Sequence, residues 1–163
     1  MTTVKPDWSV SDGTFADRFG AIRMMKQFHD ATQPPFPYLP VHAEALYKRY
    51  VHDHDKLATM LHVNGRVEGI FLACVGQLEL APTMTIATER LWWISEHARA
   101  LGIGANVWRT ILRTYQDWAE RAGATIIQVT SYGGLEQHKR VGALYSRMGY
   151  SPAEVHYMKV LET

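Results

Sequence analysis

The dipeptide Asn64-Gly65 constrains the fold of this chain most strongly, because it joins two apolar runs of strand-like composition. Residues 57–63 precede it and residues 66–75 follow it. Asn-Gly accommodates the positive φ angles of a tight two-residue turn, so the pattern predicts an antiparallel hairpin. A third strand is predicted over residues 84–94, which extends the hairpin into a meander.

Helical patterns lie on both sides of this meander. Helices are predicted over residues 14–31 and 41–52, and the four prolines of residues 32–40 favour a stiff, extended loop between them. The elements predicted after the meander are a helix over 105–122, a strand over 125–131, a helix over 135–148 and a closing strand over 155–161. This order predicts an α+β or mixed α/β fold, with helices on both faces of one sheet.

Composition bounds the class of protein. A chain of 163 residues that is 47% apolar can form one ordinary core, which predicts a single domain over residues 1–163. The 17 basic residues almost balance the 16 acidic ones, which argues against a nucleic-acid or membrane-surface partner. The lone Cys74 excludes an internal disulfide, and no apolar run resembles a signal peptide or a membrane span. We therefore expect a cytoplasmic protein.

A glycine-containing turn lies between the third predicted strand and the helix that follows. It reads Arg99-Ala100-Leu101-Gly102-Ile103-Gly104-Ala105. Glycines allow backbone N–H groups to approach a ligand closely, and a helix start carries partial positive charge, so the turn suits a pyrophosphate. A plain tight turn would explain the glycines equally well. A dinucleotide-binding fold is disfavoured, because the turn follows a meander and the third glycine of that motif is missing.

Two separated segments together resemble the GNAT family of N-acetyltransferases. Residues 93–105, WISEHARALGIGA, look like the family's cofactor motif: a strand end, a short linker, then Arg or Gln, two residues, Gly, one residue, and Gly or Ala. Residues 138–150, HKRVGALYSRMGY, are similar to the family's Asn-x-x-Ala-x-x-Leu-Tyr-x-x-x-Gly-Phe segment. The predicted order of elements agrees with that fold from about Phe15 onward.

The resemblance implies direct transfer of an acetyl group from acetyl-CoA to a primary amine in a ternary complex. It also implies a mostly antiparallel sheet in which residues 84–94 and 125–131 splay apart, so that pantetheine inserts between them. The cofactor-binding positions that it implies are Trp93, Ile94, Arg99, Ala100, Leu101, Gly102, Ile103, Gly104, Ala105 and His138. Glu96 replaces the family's usual proline, and His138 its usual asparagine; backbone-mediated binding should tolerate both changes.

Two residues are candidates for the chemistry. Tyr145 stands where the family keeps a tyrosine near the CoA sulfur, which makes it the proposed proton donor. Glu89 lies on the strand that leads into the cofactor turn and is the first candidate for the base. Strand alternation predicts that Glu89 shares a face with Leu91 and Trp93, opposite Ile94. Packing of Tyr145, a solvated Glu89 and deprotonation through ordered water stay open as alternatives.

Aromatic residues suggest where the acceptor binds. Trp92 and Trp93 should point to opposite faces of their strand, so that one of them can line the acyl or acceptor pocket. Phe36 and Tyr38 either form the rim of the acceptor site or anchor the proline-rich loop. The acceptor itself is a small-molecule or peptide amine whose identity the sequence leaves open, and a homodimer also stays open.

Two other functions are compatible with parts of the sequence. Residues 52–55, HDHD, alternate His and Asp, but this pattern is more typical of a solvated turn, and no metal is expected. A catalytically silent acyl-CoA-binding or partner-regulating domain on the same fold is the main alternative, because a fold alone does not establish a function.

Overall fold

The computed structural model describes residues 6–79, 81–131 and 138–153. The strands are β1 (Trp8–Asp12), β2 (Lys56–Val63), β3 (Arg66–Leu78), β4 (Ala81–Ile94) and β5 (Ile126–Gln128). The helices are α1 (Arg18–Thr32), α2 (Pro40–His52), α3 (Glu96–Ala100), α4 (Gly104–Arg121) and α5 (His138–Arg147), with a short 3-10 turn before α1. No helix in these ranges is both long and apolar enough to cross a membrane.

The predicted hairpin is confirmed. Asn64 and Gly65 both have positive φ angles, 49° and 75°, and connect β2 to β3. The sheet order is β1-β2-β3-β4-β5: the first three pairings are antiparallel, and β4 pairs with β5 in parallel. The fold is therefore the predicted mixed, mostly antiparallel sheet with helices on both faces.

Two hydrophobic clusters occupy the two faces of the sheet. Helices α1 and α2 cover one face, where Met24, Tyr47 and Met60 are fully buried. Helix α4, together with Tyr145 of α5, covers the other face, where Phe71 and Tyr115 pack with ring centroids 4.9 Å apart. The amphipathic pattern that predicted the helix over residues 105–122 therefore marks a core-facing helix.

The structure corrects the sequence prediction in three places. Strand β1 was missed, because it is a short edge strand with only two apolar residues and its pairing to β2 is distant in sequence. The linker after β4 contains the short helix α3. The strand predicted over residues 125–131 is only Ile126–Gln128, since the chain leaves β4 after Gln128. The predicted closing strand, residues 155–161, and the start of the predicted helix, residues 135–137, lie outside the described residues.

Candidate active site

A cavity of about 1000 Å³ runs along β4 at the point where β4 and β5 separate. Pairing with β5 ends at Thr88, and residues 89–94 of β4 continue along the cavity wall. In the described part of the chain, these residues pair on the β3 side only, and Arg90 is left out of that pairing. The predicted splay is therefore present, and it leaves backbone groups of β4 available to a ligand.

A β-bulge in β4 decides which way the Glu89 side chain points. Leu72 of β3 pairs with Leu91, whereas the next residue, Ala73, pairs with Glu89, so Arg90 is the extra residue. A bulge shifts the alternation of side chains by one. Glu89 therefore lies on the face covered by α4 and α5, and the prediction that it shares a face with Leu91 and Trp93 is wrong.

The Glu89 carboxylate is buried and hydrogen-bonded. Its side chain is 6% exposed and lines the cavity. The backbone N–H of Thr130 donates to Glu89 Oε2 at 2.9 Å, and the hydroxyl of Tyr145 reaches the same oxygen at 3.3 Å. Burial raises the pKa of Glu89 to about 8, although these two hydrogen bonds favour the charged form. Such a carboxyl group can accept a proton near neutral pH.

Tyr145 contacts Glu89 from α5. Its hydroxyl also donates to the backbone oxygen of Thr130 at 2.9 Å, and its ring packs edge-on against Trp108 at a centroid distance of 4.8 Å. Burial raises the pKa of Tyr145 above its ordinary value, and the neighbouring Glu89 adds to this shift. The structure thus brings the two predicted catalytic residues into one hydrogen-bonded pair.

The turn after β4 is held by a buried Ser–Glu contact that the sequence analysis missed. Ser95 begins α3, and its Oγ accepts a hydrogen bond from the N–H of Ala98 at 3.1 Å. The same hydroxyl donates to Glu68 Oε2 at 2.5 Å, and the backbone N–H of Ser95 donates to the Glu68 carbonyl oxygen at 2.9 Å. Glu68, which is 4% exposed, therefore fixes the angle at which α3 leaves the sheet.

The glycine turn presents donors to the cavity at the start of α4. The N–H groups of Arg99 and Gly102 are already used within the protein, on the carbonyl oxygens of Ser95 and Arg99. Gly104 and Ala105 form the first turn of α4 and line the cavity, and the first N–H groups of a helix have no acceptor inside it. This end of α4 can accept a phosphate oxygen.

Both glycines of the turn lack neighbours where a side chain would point. A Cβ built on Gly102 or on Gly104 meets no atom within 4 Å, so the space beside each is open. Gly102 additionally has a φ of +71°, which other residues adopt only with strain. The backbone of Gly104 does not have a positive φ angle, so a side chain there causes no backbone strain. Substitution of Gly104 therefore tests ligand binding separately from folding.

We expect Gly104→Val to weaken acetyl-CoA binding by at least about tenfold while leaving the fold intact, because a branched side chain would fill the space beside the α4 amides. Calorimetric titration measures the affinity, and thermal unfolding measures the fold. Gly76→Val is the matched control, since Gly76 lies in β3, also has open space at its Cβ, and does not line the cavity. Unchanged affinity in Gly104→Val would show that the turn does not bind the cofactor.

Further basic and donor groups line the same cavity. Arg99 lies over the ring of Trp93, with its Cζ 4.7 Å from the ring centroid, and it lines the cavity together with His138 and Arg140. The Oγ of Ser131 contacts His138 Nδ1 at 3.3 Å.

Trp108 also lines the cavity, and its Nε1 is buried without a hydrogen-bond partner in the described part of the chain. Arg140 and Trp108 were not predicted from the sequence; a short basic run in α5 was the only signal for Arg140.

Four aromatic side chains line the cavity at the positions that the sequence singled out. Trp92 packs against Trp108 at a centroid distance of 5.3 Å, whereas Trp93 lies in the cluster beneath α1 and α2, which confirms that they face opposite sides. Tyr38 anchors the proline-rich loop, because its hydroxyl donates to the carbonyl oxygen of Ile22 at 2.8 Å. Phe36 is 60% exposed and lines the cavity, as Tyr38 also does.

The alternating His and Asp segment makes ion pairs. Lys56 Nζ lies 3.1 Å from Asp53 Oδ2 and 2.8 Å from Asp55 Oδ1. Over the described ranges, no three His, Cys, Asp or Glu side chains come together in a way that could hold a metal ion.

Comparison with solved structures relates this arrangement to known proteins. A ribosomal-protein-alanine N-acetyltransferase from Brucella melitensis biovar Abortus is 11% identical with a TM-score of 0.68, covering 96% of this chain and 100% of that one. A predicted acetyltransferase from Clostridium acetobutylicum, solved with acetyl-CoA, is 9% identical with a TM-score of 0.70, over 95% and 96% of the two chains. A transcriptional regulator from Bacillus halodurans is 15% identical with a TM-score of 0.72, over 95% and 100%.

These likenesses show a shared fold. No family model matches the chain, and no curated protein matches it at the sequence level. The fold that the sequence resemblance implied is confirmed, and it is the fold of known acetyltransferases.

Proposed function

We propose that this protein is an N-acetyltransferase that moves an acetyl group from acetyl-CoA to a primary amine by direct attack within a ternary complex. The observation that carries the proposal is the buried pair of Glu89 and Tyr145, which lies where β4 separates from β5. The fold shared with known acetyltransferases supports it.

Acetyl-CoA is proposed to lie along the open edge of β4. Backbone groups of Trp93 and Ile94 would pair with its pantetheine and acyl portion, while the amides at the start of α4 and the side chains of Arg99 and Arg140 would meet its phosphates. The contribution of this chain is to orient the thioester and to neutralise the phosphate charge, since N–H groups and guanidinium groups both favour anions.

Glu89 is proposed as the base. The amine must lose a proton as it attacks the thioester carbonyl, and a carboxylate whose pKa is near 8 is a stronger base than an ordinary one. The new C–N bond forms as the C–S bond breaks, and Tyr145 is proposed to give its proton to the departing sulfur. For this the hydroxyl must exchange its hydrogen bond to Thr130 or to Glu89 for one to sulfur.

The experiment that tests this function measures free-thiol release from acetyl-CoA in the presence of a panel of primary amines. Amine-dependent release supports the transferase. Tight acetyl-CoA binding without release for any amine would instead support a catalytically silent acyl-CoA-binding domain. Mass spectrometry of the products distinguishes an acetylated amine from simple hydrolysis of the thioester.

A further inference from the structure

One part of the cavity wall is apolar, and it consists of Met25, Phe28, Phe36, Tyr38, Leu39 and Leu46. These residues come from α1, the proline-rich loop and α2. Phe36, Leu39 and Leu46 are 60%, 49% and 39% exposed, so these three present apolar surface outside the core, whereas the other three pack in or against the core beneath α1 and α2. A ligand with an apolar body would remove this surface from water.

Hydrogen bonds and ring contacts within the protein hold the loop part of the apolar wall in position. His29 Nε2 contacts the carbonyl oxygen of Phe36 at 2.8 Å, and the His29 ring meets the rings of Phe36 and Tyr38 edge-on, at centroid distances of 5.9 and 5.5 Å. The hydroxyl of Tyr38 donates a hydrogen bond to the carbonyl oxygen of Ile22 in α1. These contacts tie the loop to α1, so its aromatic side chains form a preformed surface.

The charges that line the cavity limit the polar part of an acceptor. In the described part of the chain, Glu89 is the only carboxylate on the cavity wall, and Arg90 is next to it. Asp30, the acidic residue that follows His29, is engaged by Lys26 at 2.6 Å and does not line the cavity. One ammonium group therefore finds one carboxylate, whereas a second would find no further carboxylate on the described part of the cavity wall, where the other polar side chains include His29, Thr32 and His42.

We infer that the acceptor is a small primary monoamine with an apolar, aromatic body, which rests against the apolar wall while its amino group faces Glu89. This inference rests on the proposed function and narrows its substrate class. Polyamines should be poor acceptors because their further ammonium groups find no second carboxylate on the described part of the cavity wall, and amino sugars because their hydroxyl-bearing ring covers little of the apolar surface.

The first experiment compares acceptors that differ in a single feature. At saturating acetyl-CoA, kcat/KM for thiol release should be on the order of 100-fold higher for 2-phenylethylamine than for ethylamine, because only the phenyl group differs. Spermidine, glucosamine and an N-terminally blocked lysine peptide should all fall well below 2-phenylethylamine.

The second experiment changes the apolar wall. Phe36→Ser should lower kcat/KM for 2-phenylethylamine about tenfold, mainly through KM, and should leave ethylamine and acetyl-CoA affinity almost unchanged. Val41→Ser is the matched control, because Val41 is 75% exposed, lies one residue into α2 and does not line the cavity. It should behave like the wild-type protein with every amine.

The outcomes separate this inference from the proposed function. If spermidine, glucosamine or the lysine peptide is the better acceptor, or if Phe36→Ser matches Val41→Ser, the transferase stands and the aromatic acceptor is wrong. If acetyl-CoA binds and no amine releases thiol, the transferase itself is overturned, and the acceptor class with it.

Discussion

Glu89→Gln is expected to lower kcat on the order of 10²- to 10⁴-fold, because glutamine keeps the size and the Thr130 contact of Glu89 but accepts no proton. The pKa of Glu89, about 8, fixes the sign of the pH effect. The carboxylate is the active form, so wild-type kcat should rise with pH up to about 8 and then level off. The rising limb should be absent from Glu89→Gln, as measured by steady-state thiol release between pH 6 and about 9.

A variant and a second readout control this prediction. Glu89→Asp keeps a carboxylate on a shorter side chain, and it should retain the rising limb at a reduced rate. The free energy of unfolding gives independent evidence. The pKa of Glu89 is about 8 in the folded protein and about 4.3 in the unfolded chain, so the folded state holds its proton more tightly. The free energy of unfolding of the wild-type protein should therefore fall as pH rises from about 4.3 to about 8. Thermal unfolding of Glu89→Gln should lack this contribution. A rising kcat limb that survives in Glu89→Gln would assign the ionisation to another group.

Tyr145→Phe is the second substitution with a large expected effect. The ring and its packing on Trp108 remain, but the donor is removed, so kcat should fall on the order of 10²-fold or more. Affinity for acetyl-CoA should hardly change. The hydroxyl of Tyr145 also favours the charged form of Glu89, so its loss should move the rising limb of the kcat profile to higher pH.

Tyr150→Phe is the matched control for Tyr145→Phe. The Tyr150 ring packs on that of Tyr145 with centroids 5.7 Å apart, and within the described residues no hydrogen bond joins it to Glu89. Tyr150→Phe should retain most of the activity and the wild-type pH profile. Full activity in Tyr145→Phe would assign Tyr145 to packing, whereas weakened acetyl-CoA binding with normal kcat would make it a binding residue.

Local patterns predicted the main elements of this fold. Asn64-Gly65 defined the hairpin because its turn depends on two adjacent residues, and the apolar spacing of α4 reported directly on the face that it buries. Strand β1 escaped prediction because its stability comes from pairing with β2, some fifty residues later in the chain. The alternation of side chains within one segment carries no information about a pairing strand so far away in sequence.

The candidate site was predicted in part. The positions of Glu89 and Tyr145 followed from the resemblance, but the side of the sheet that Glu89 faces depends on the bulge at Arg90. A bulge is a mismatch between two strands, so neither strand shows it alone. The Glu68–Ser95 hydrogen bond likewise joins residues that are 27 positions apart in the chain. Neither residue lies in a sequence motif that would have predicted this contact.

The open edge of β4 has a consequence for how the protein behaves in concentrated solution. Unpaired N–H and C=O groups along a strand are a template on which another chain can add, and proteins usually cover, charge or shorten such edges. Here the edge over residues 89–94 lies inside a cleft, bordered by the bulge at one end and by α3 at the other. The recess that would admit a pantetheine chain thus also shields the strand from intermolecular β-pairing, and an occupied cleft would complete that protection.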